Sequence, residues 1–229
     1  MGDTEVISLG GSIVAPKSPD AAAIDAFARE ARHWLAGSAS RRLVVVVGGG
    51  GPARDWQAAY RALCPAPGSD SQDWIGIMAT RLNAELVRQV LSPECAQPVV
   101  TDPTADFGFE GRVLVGAGWK PGFSTDFDAV CLASRFGARR VINLSNIEKV
   151  YTADPKLDPK AKPIDAISWK EFRALVGNEW KPGANLPFDP IASAKAEAEG
   201  IRVVCASGKD MANLRALLEG RDYVGSAIG

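Results

Sequence analysis

The chain alternates short apolar runs with longer amphipathic stretches, and most of the runs stop at glycines or a polar cluster. Glu5 to Leu9 is β-prone and ends at Gly10-Gly11-Ser12, after which Asp20 to Leu35 carries Ala, Ile and Phe at helical spacing. Arg42 to Val47 (RLVVVV) is continuous and rich in β-branched residues, the pattern of a strand covered on both faces in a parallel sheet, and Gly48 to Gly51 closes it. A helix from roughly Ala53 to Leu63 follows, then a Pro/Gly/Ser loop, Pro65 to Asp70. Asp73 precedes a long helical pattern bearing Ile75, Ile77, Leu82, Leu86, Val87 and Val90. Pro98 to Val100 and Val113 to Val115 read as short strands, Asp126 to Phe136 as helix, and Arg140 to Leu144 (RVINL) as another buried strand. Next come a polar loop, Asn146 to Lys162, a helix starting near Ser168 and a second glycine- and proline-rich loop, Gly177 to Pro187. A helix from Asp189 to Glu199, a strand from Ile201 to Cys205 and a helix from Met211 to Leu218 complete the alternation. This order predicts an α/β protein with a mainly parallel sheet.

Composition changes the picture little. The 229 residues are enough for one large domain or two intimately packed lobes. Hydrophobic residues make up 46%, charged residues 23%, and the formal net charge is −1, so no global attraction to nucleic acid or membrane is expected and any bound anion must be held locally. Cys64, Cys95, Cys131 and Cys205 form no C-x-x-C pair, and His33 is the only histidine, which argues for free thiols rather than a metal site. No basic segment precedes an apolar run at the start, and nothing approaches the roughly 18 apolar residues of a membrane span. A cytoplasmic protein is the expectation.

Ligands of open parallel sheets gather at the carboxyl ends of strands. Gly10-Gly11-Ser12, Gly48 to Gly51 and Gly116 to Gly122 are three glycine-rich turns placed there, where bare backbone amides can approach an anion and helix N-termini add a favourable dipole. Each alone reads equally well as a tight turn, but the three together suggest a polyphosphate. No Walker A loop is present, and the G-x-G-x-x-G fingerprint is missing at the first strand.

The ordered set ISLGGS (Ile7 to Ser12), VVVGGGGPAR (Val45 to Arg54), DWIGIMATRLNAEL (Asp73 to Leu86), PGFSTD (Pro121 to Asp126) and LSNIEKVYTADPKLDP (Leu144 to Pro159) closely resembles uridylate (UMP) kinases of the archaeal type, within the amino-acid kinase superfamily. The resemblance spans nearly the whole chain. It implies a three-layer αβα sandwich, with an acceptor-binding half at about 1–135 and an ATP-binding half at about 136–229 of one domain. It also implies Mg·ATP and UMP as substrates, a homohexamer, and a place in pyrimidine biosynthesis.

Carried over by motif, Gly11, Ser12, Gly50 and Arg54 would face the ATP phosphates. Ser145, Asn146, Tyr151 and Asp154 would surround the nucleotide of ATP, Tyr151 beside the base and Asp154 by the ribose and phosphates, with Lys156 as an added phosphate neutraliser. Gly49, Asp73 and the loop Lys120, Pro121, Gly122, Phe123, Ser124, Thr125 and Asp126 would hold UMP. Asp189 matches the aspartate the superfamily keeps near the transferring phosphate, although an aspartate there also reads as a helix cap. Arg54, Asp73 and Asp154 have similar plain readings as a solvated charge, a cap and a turn residue.

Three departures stand out. Ser8 occupies the place where bacterial relatives carry a phosphate-neutralising lysine, leaving Arg54, Lys120 and Lys181 as candidate cations. The run Trp180 to Phe188 replaces small residues ahead of Asp189, and its Lys181 is expected to bring charge over the phosphates. Gly116-Ala117-Gly118-Trp119 stands where a Gly-Gly-Thr run is usual, adding bulk near the acceptor. A superfamily member acting on another small phosphate or carboxylate, and a catalytically silent nucleotide-binding or storage protein, are the rival readings.

Overall fold

The computed structural model describes residues 4–155, 157–177 and 186–229. The elements in chain order are β1 (Thr4–Leu9), α1 (Gly11–Val14), α2 (Ala21–Ala36), β2 (Arg42–Val47), α3 (Gly50–Leu63), α4 (Ser69–Val90), β3 (Val113–Gly116), α5 (Thr125–Phe136), β4 (Arg140–Ser145), β5 (Val150–Tyr151), β6 (Pro163–Ile164), β7 (Ala166–Ile167), α6 (Trp169–Val176), α7 (Pro190–Glu199), β8 (Arg202–Ser207), α8 (Met211–Leu218) and β9 (Ser226–Ile228).

One sheet runs in the order β3-β2-β1-β4-β8-β9-β7. The first five strands are mutually parallel, and β9 pairs antiparallel with β8. The predicted helices and central strands recur with shifted ends. α3 starts at Gly50 rather than Ala53, because Gly50 and Gly51, the second half of the tetraglycine run, open the first helical turn. α4 starts at Ser69, so Asp73 lies inside the helix and does not cap it. Pro98 to Val100 contributes a single bridge, Val100 to Gly116, instead of a strand, and the polar loop after β4 folds partly into the small β5–β6 hairpin.

Both faces of the sheet are covered, which explains the unbroken apolar runs. Ile7, Leu9, Val45, Ile142 and Leu144 face Phe27, Leu35, Val87 and Leu214 from α2, α4 and α8. Val6, Val44, Val46, Val141 and Val203 face Val130, Phe172 and Ala192 from α5, α6 and α7. The result is the αβα sandwich. The strand register brings Leu9, Val47 and Leu144 to one level, so the turns that follow them share one edge of the sheet. Among the described residues, no helix is long and apolar enough to cross a membrane, and all four cysteines are free thiols.

Candidate active site

The glycine turns extend the sheet's own hydrogen bonding. Gly10 N–H donates to Leu144 O at 2.8 Å, Gly48 N–H to Leu9 O at 3.0 Å, and Gly208 N–H to Ser145 O at 2.8 Å. Gly11 and Gly50 then meet backbone to backbone: a Cβ on Gly11 would lie 2.0 Å from Gly50 N. Gly50 also needs its left-handed φ of +68°, and a Cβ there would lie 2.2 Å from Ala15 O. Ser12 follows Gly11 in α1. Arg54 is exposed one turn into α3, its guanidinium 3.4 Å from Pro16 O, on the chain leaving α1. The first two predicted phosphate turns are thus one continuous surface of main chain.

A second group of side chains hangs the loop 117–124, which holds most of the run Lys120 to Asp126 expected to bind the acceptor, beside this surface. Asp73 accepts from Gly122 N–H at 2.8 Å, and Thr80 Oγ accepts from Gly118 N–H at 2.8 Å. Arg81 donates to the carbonyls of Gly118 and Trp119 at 3.3 and 3.0 Å, and Asp128 accepts from Trp119 N–H at 3.2 Å. Within the loop the Lys120 ammonium lies 3.8 Å from the Trp119 ring centre and 5.3 Å from that of Phe123, a cation–π stack that continues to Phe127. Gly122 supplies a φ of +85° next to Pro121. Ser124 caps α5 by accepting from Phe127 N–H, which places Thr125 in the first helical turn.

Asp126 points elsewhere than the loop. Its Oδ1 accepts from Ser8 Oγ at 2.8 Å, and its Oδ2 from Asp189 N–H at 3.3 Å. Asp189 in turn caps α7, with Oδ1 accepting from Ala192 N–H at 2.6 Å, while its buried Oδ2 has no partner. Burial pushes the pKa of Asp189 up. Asp126 keeps some accessible surface, yet crowding by protein, opposed by the Ser8 hydroxyl and reinforced by the charge of Asp189, raises its pKa to about 6.

This shift has a sign that can be tested. A carboxyl that titrates near 6 when folded, against 3.8 ordinarily, stabilises the fold fully below about pH 4 and loses that contribution as pH rises through about 6. Allowing for the water Asp126 retains, wild type should lose about 2 kcal/mol relative to Asp126→Asn between pH 4 and 7. Denaturant titrations of both proteins across that range check it, and parallel pH profiles would refute it.

On the other side of β4, Ser145 ends the strand; its Oγ accepts from Ile147 N–H and its Cα stands against Gly10. Asn146 follows, Tyr151 lies in β5, and Asp154 lies beyond the hairpin strand, its carbonyl accepting from Leu157 and Asp158 N–H. Lys156, Lys181 and Trp180 lie outside the described residues. Among the described residues no group of three or more His, Cys, Asp or Glu side chains is arranged to cage a metal.

Sequence reasoning assigned no role to several residues that shape this site. Asn83, 4% exposed, donates from one amide nitrogen to both Gly48 O and Gly49 O, fixing the tetraglycine turn. Thr80, Arg81 and Asp128 hold the acceptor loop. Asn143 sits between Ser8 and Cys205 across three paired strands and donates to Pro187 O just ahead of Asp189. The available signal was a polar residue at an apolar phase: Thr80 and Asn83 fall on the inward stripe of α4 with Ile77, Ala84 and Val87.

Comparison with known proteins gives a consistent result. The profile of the amino acid kinase family matches residues 3–207. A uridylate kinase of Methanocorpusculum labreanum is 38% identical over 98% of this chain and 94% of its own length. One of Hyperthermus butylicus is 34% identical over 97% and 96%. The crystal structure of uridylate kinase from Archaeoglobus fulgidus superposes with a TM-score of 0.81 at 32% identity, covering both chains fully. An aspartate kinase from Synechocystis, at 22% identity and a TM-score of 0.72, shares the fold.

Proposed function

The chain belongs to the amino acid kinase family, and from that premise we propose that it phosphorylates UMP to UDP with Mg·ATP, by direct in-line transfer, in pyrimidine biosynthesis. The observation that carries this reading is the backbone contact of the Gly11 and Gly50 turns beside an acceptor loop that Asp73 ties down through Gly122.

The donor triphosphate lies against Gly11, Ser12 and Gly50 with Arg54 at its border. Their amides and the adjoining helix starts offer fixed positive dipoles where charge develops. Ser145, Asn146, Tyr151, Asp154 and Lys156 take the ATP nucleoside and phosphates, so the half before about residue 135 serves mainly the acceptor and the half after it mainly ATP. Asp73 keeps one carboxylate oxygen on Gly122 and offers the other to the UMP ribose. Gly49 and the loop Lys120, Pro121, Gly122, Phe123, Ser124 and Thr125 line the acceptor, with Asp126 beneath them.

Mg²⁺ carried by the triphosphate would supply charge neutralisation, and because such an ion is commonly held by one or two carboxylates beside phosphates and water, the unpartnered Oδ2 of Asp189 would suit that role. Asp189 would position cationic groups at the transferring phosphate rather than act as an attacking base, with Lys181 as a further source of charge for it. A homo-oligomer, hexameric as in the archaeal type, completes the reading.

ADP release measured with UMP, CMP, dUMP and isopentenyl phosphate tests it. UMP should be turned over best, with kcat/KM at least about 100-fold above the others, the discrimination expected when polar groups of a site lose their partners. Preference for another acceptor would favour the wider superfamily reading, and ATP binding without any turnover the silent binder.

A further inference from the structure

The bend of the acceptor loop follows from its sequence. In Lys120-Pro121-Gly122-Phe123, proline fixes φ at the second position and glycine supplies a positive φ, +85°, at the third, the pattern of a type II turn. Such a turn folds its first and fourth residues together. Here they are a lysine and a phenylalanine, and the Lys120 ammonium lies 5.3 Å from the Phe123 ring centre. It lies closer, 3.8 Å, to the ring centre of Trp119, which is tilted against Phe123 at 5.1 Å. Lys120 is exposed, yet among the described residues no carboxylate pairs with it, whereas Lys149 and Lys195 pair with Asp165 and Glu199. Its charge rests on aromatic rings and is left over for an anion.

Trp119 is itself tied from several sides. On α5, Asp128 accepts from Trp119 N–H at 3.2 Å, and on α4, Arg81 donates to Trp119 O at 3.0 Å. Beyond Val100, the Asp102 carboxyl is held below its ordinary pKa first by the Thr104 hydroxyl and also by the Trp119 side chain. Asp128 is 1% exposed, and its Oδ1 has no partner. A buried carboxyl left half satisfied is costly, and the bond it does make fixes this one tryptophan.

The loop starts at Gly118, whose N–H reaches Thr80, and Thr80 also stands against Gly49. It leads into Asp126, which meets Ser8 and Asp189. Lys120 therefore hangs between the tetraglycine turn and the carboxylates around Ser8, where β1 carries a hydroxyl and no cation.

We propose that Trp119 and Phe123 form a seat for Lys120 as the cation of the transfer, its ammonium over the acceptor phosphate where the transferring group meets it. Lys120 touches the substrate; Trp119 and Phe123 are positioning residues that act through it. The role of the seat rests on the kinase reading. Aromatic rings suit the task because they hold an ammonium in place without neutralising it, as a carboxylate would.

Steady-state kinetics with UMP and ATP on wild type, Lys120→Ala, Trp119→Leu, Trp119→Phe and the Lys120→Ala/Trp119→Leu double variant test the seat. kcat should fall about 30-fold in Lys120→Ala and about 10-fold in Trp119→Leu, while KM for either substrate moves less than about 5-fold. Trp119→Phe keeps a π face and should stay within about 3-fold of wild type. The double variant should lie within about 2-fold of Lys120→Ala, because a seat has no effect once its occupant is gone. Losses that multiply would show Trp119 acting on its own and would overturn the seat. So would Trp119→Leu with unchanged kcat and a raised KM for UMP, the mark of a ring that stacks on the base, or Lys120→Ala within about 2-fold of wild type. Circular dichroism checks each fold, and Phe123→Leu, alone and with Lys120→Ala, repeats the cycle on the second ring should Trp119→Leu not fold. Wild type active on UMP keeps the kinase reading whatever the variants do. Wild type active only on another phosphate acceptor refutes UMP, and the same cycle is then read with that acceptor. Wild type that transfers phosphate to none overturns both.

Discussion

Gly11→Ala is expected to destabilise the fold by at least about 3 kcal/mol and to abolish useful ATP binding. The added methyl would stand 2.0 Å from Gly50 N, 2.6 Å from Gly50 Cα and 2.7 Å from the Gly49 carbonyl carbon. All three are main-chain atoms, so no side chain can swing away. Overpacking a rigid site commonly costs 1–3 kcal/mol, and a clash that must separate two turns belongs at the upper end or beyond. For a chain of this size that corresponds to a fall in Tm of roughly 6–12 °C. Separating the turns also moves the amides meant to face the phosphates, so the two effects share one cause. Calorimetry and an ATP titration check this against Gly108→Ala, where a Cβ meets nothing within 4 Å. A Gly11→Ala protein with wild-type Tm and ATP affinity would refute the close approach.

Asp189→Asn should lower kcat about 100-fold or more and leave stability within about 1 kcal/mol of wild type. Asparagine is as good a helix cap as aspartate, so acceptance from Ala192 N–H survives the change. The negative charge does not survive, and removing a group that fixes charge at a transfer centre typically costs 10²–10³ in rate. The substitution thus separates the two meanings of an aspartate at this position. If Asp189 only capped α7, kcat would be unchanged; if it holds cations at the phosphate, kcat falls while Tm stays. Asparagine keeps an uncharged polar atom where the buried Oδ2 stands, so the change at that position is one of charge and Tm is expected to stay near that of wild type while activity falls.

The fold was legible wherever burial is two-sided or periodic. RLVVVV and RVINL have no polar phase to misplace, and the helix from Met211 to Leu218 was read with its observed ends. Ends were misread where glycine or side-chain chemistry decides them. Nothing local says that Gly50 and Gly51 are the first turn of α3, since glycine is a poor helix former, and the reason, contact with Gly11 and Pro16, lies about forty residues away. Asp73 looked like a helix start because aspartate caps are common; its partner Gly122 is 49 positions on. The glycine turns were found because strand ends and glycines are both local signals. The supports behind them were missed because Asn83, Thr80 and Asp128 act through hydrogen bonds to residues between 9 and 38 positions away, which sequence periodicity does not record.

The site's two sides are made of different material. Around Gly11, Gly48 and Gly50 the surface is main chain pressed on main chain, whereas the acceptor loop hangs on the side chains of Asp73, Thr80, Arg81 and Asp128 and carries Trp119, Lys120 and Phe123 outward. Tolerance to substitution is therefore expected to be unequal: a side chain added at Gly11, Gly48 or Gly50 meets main chain that has nowhere to go, whereas one anchor or one ring of the 117–124 loop can be exchanged without disturbing the sheet.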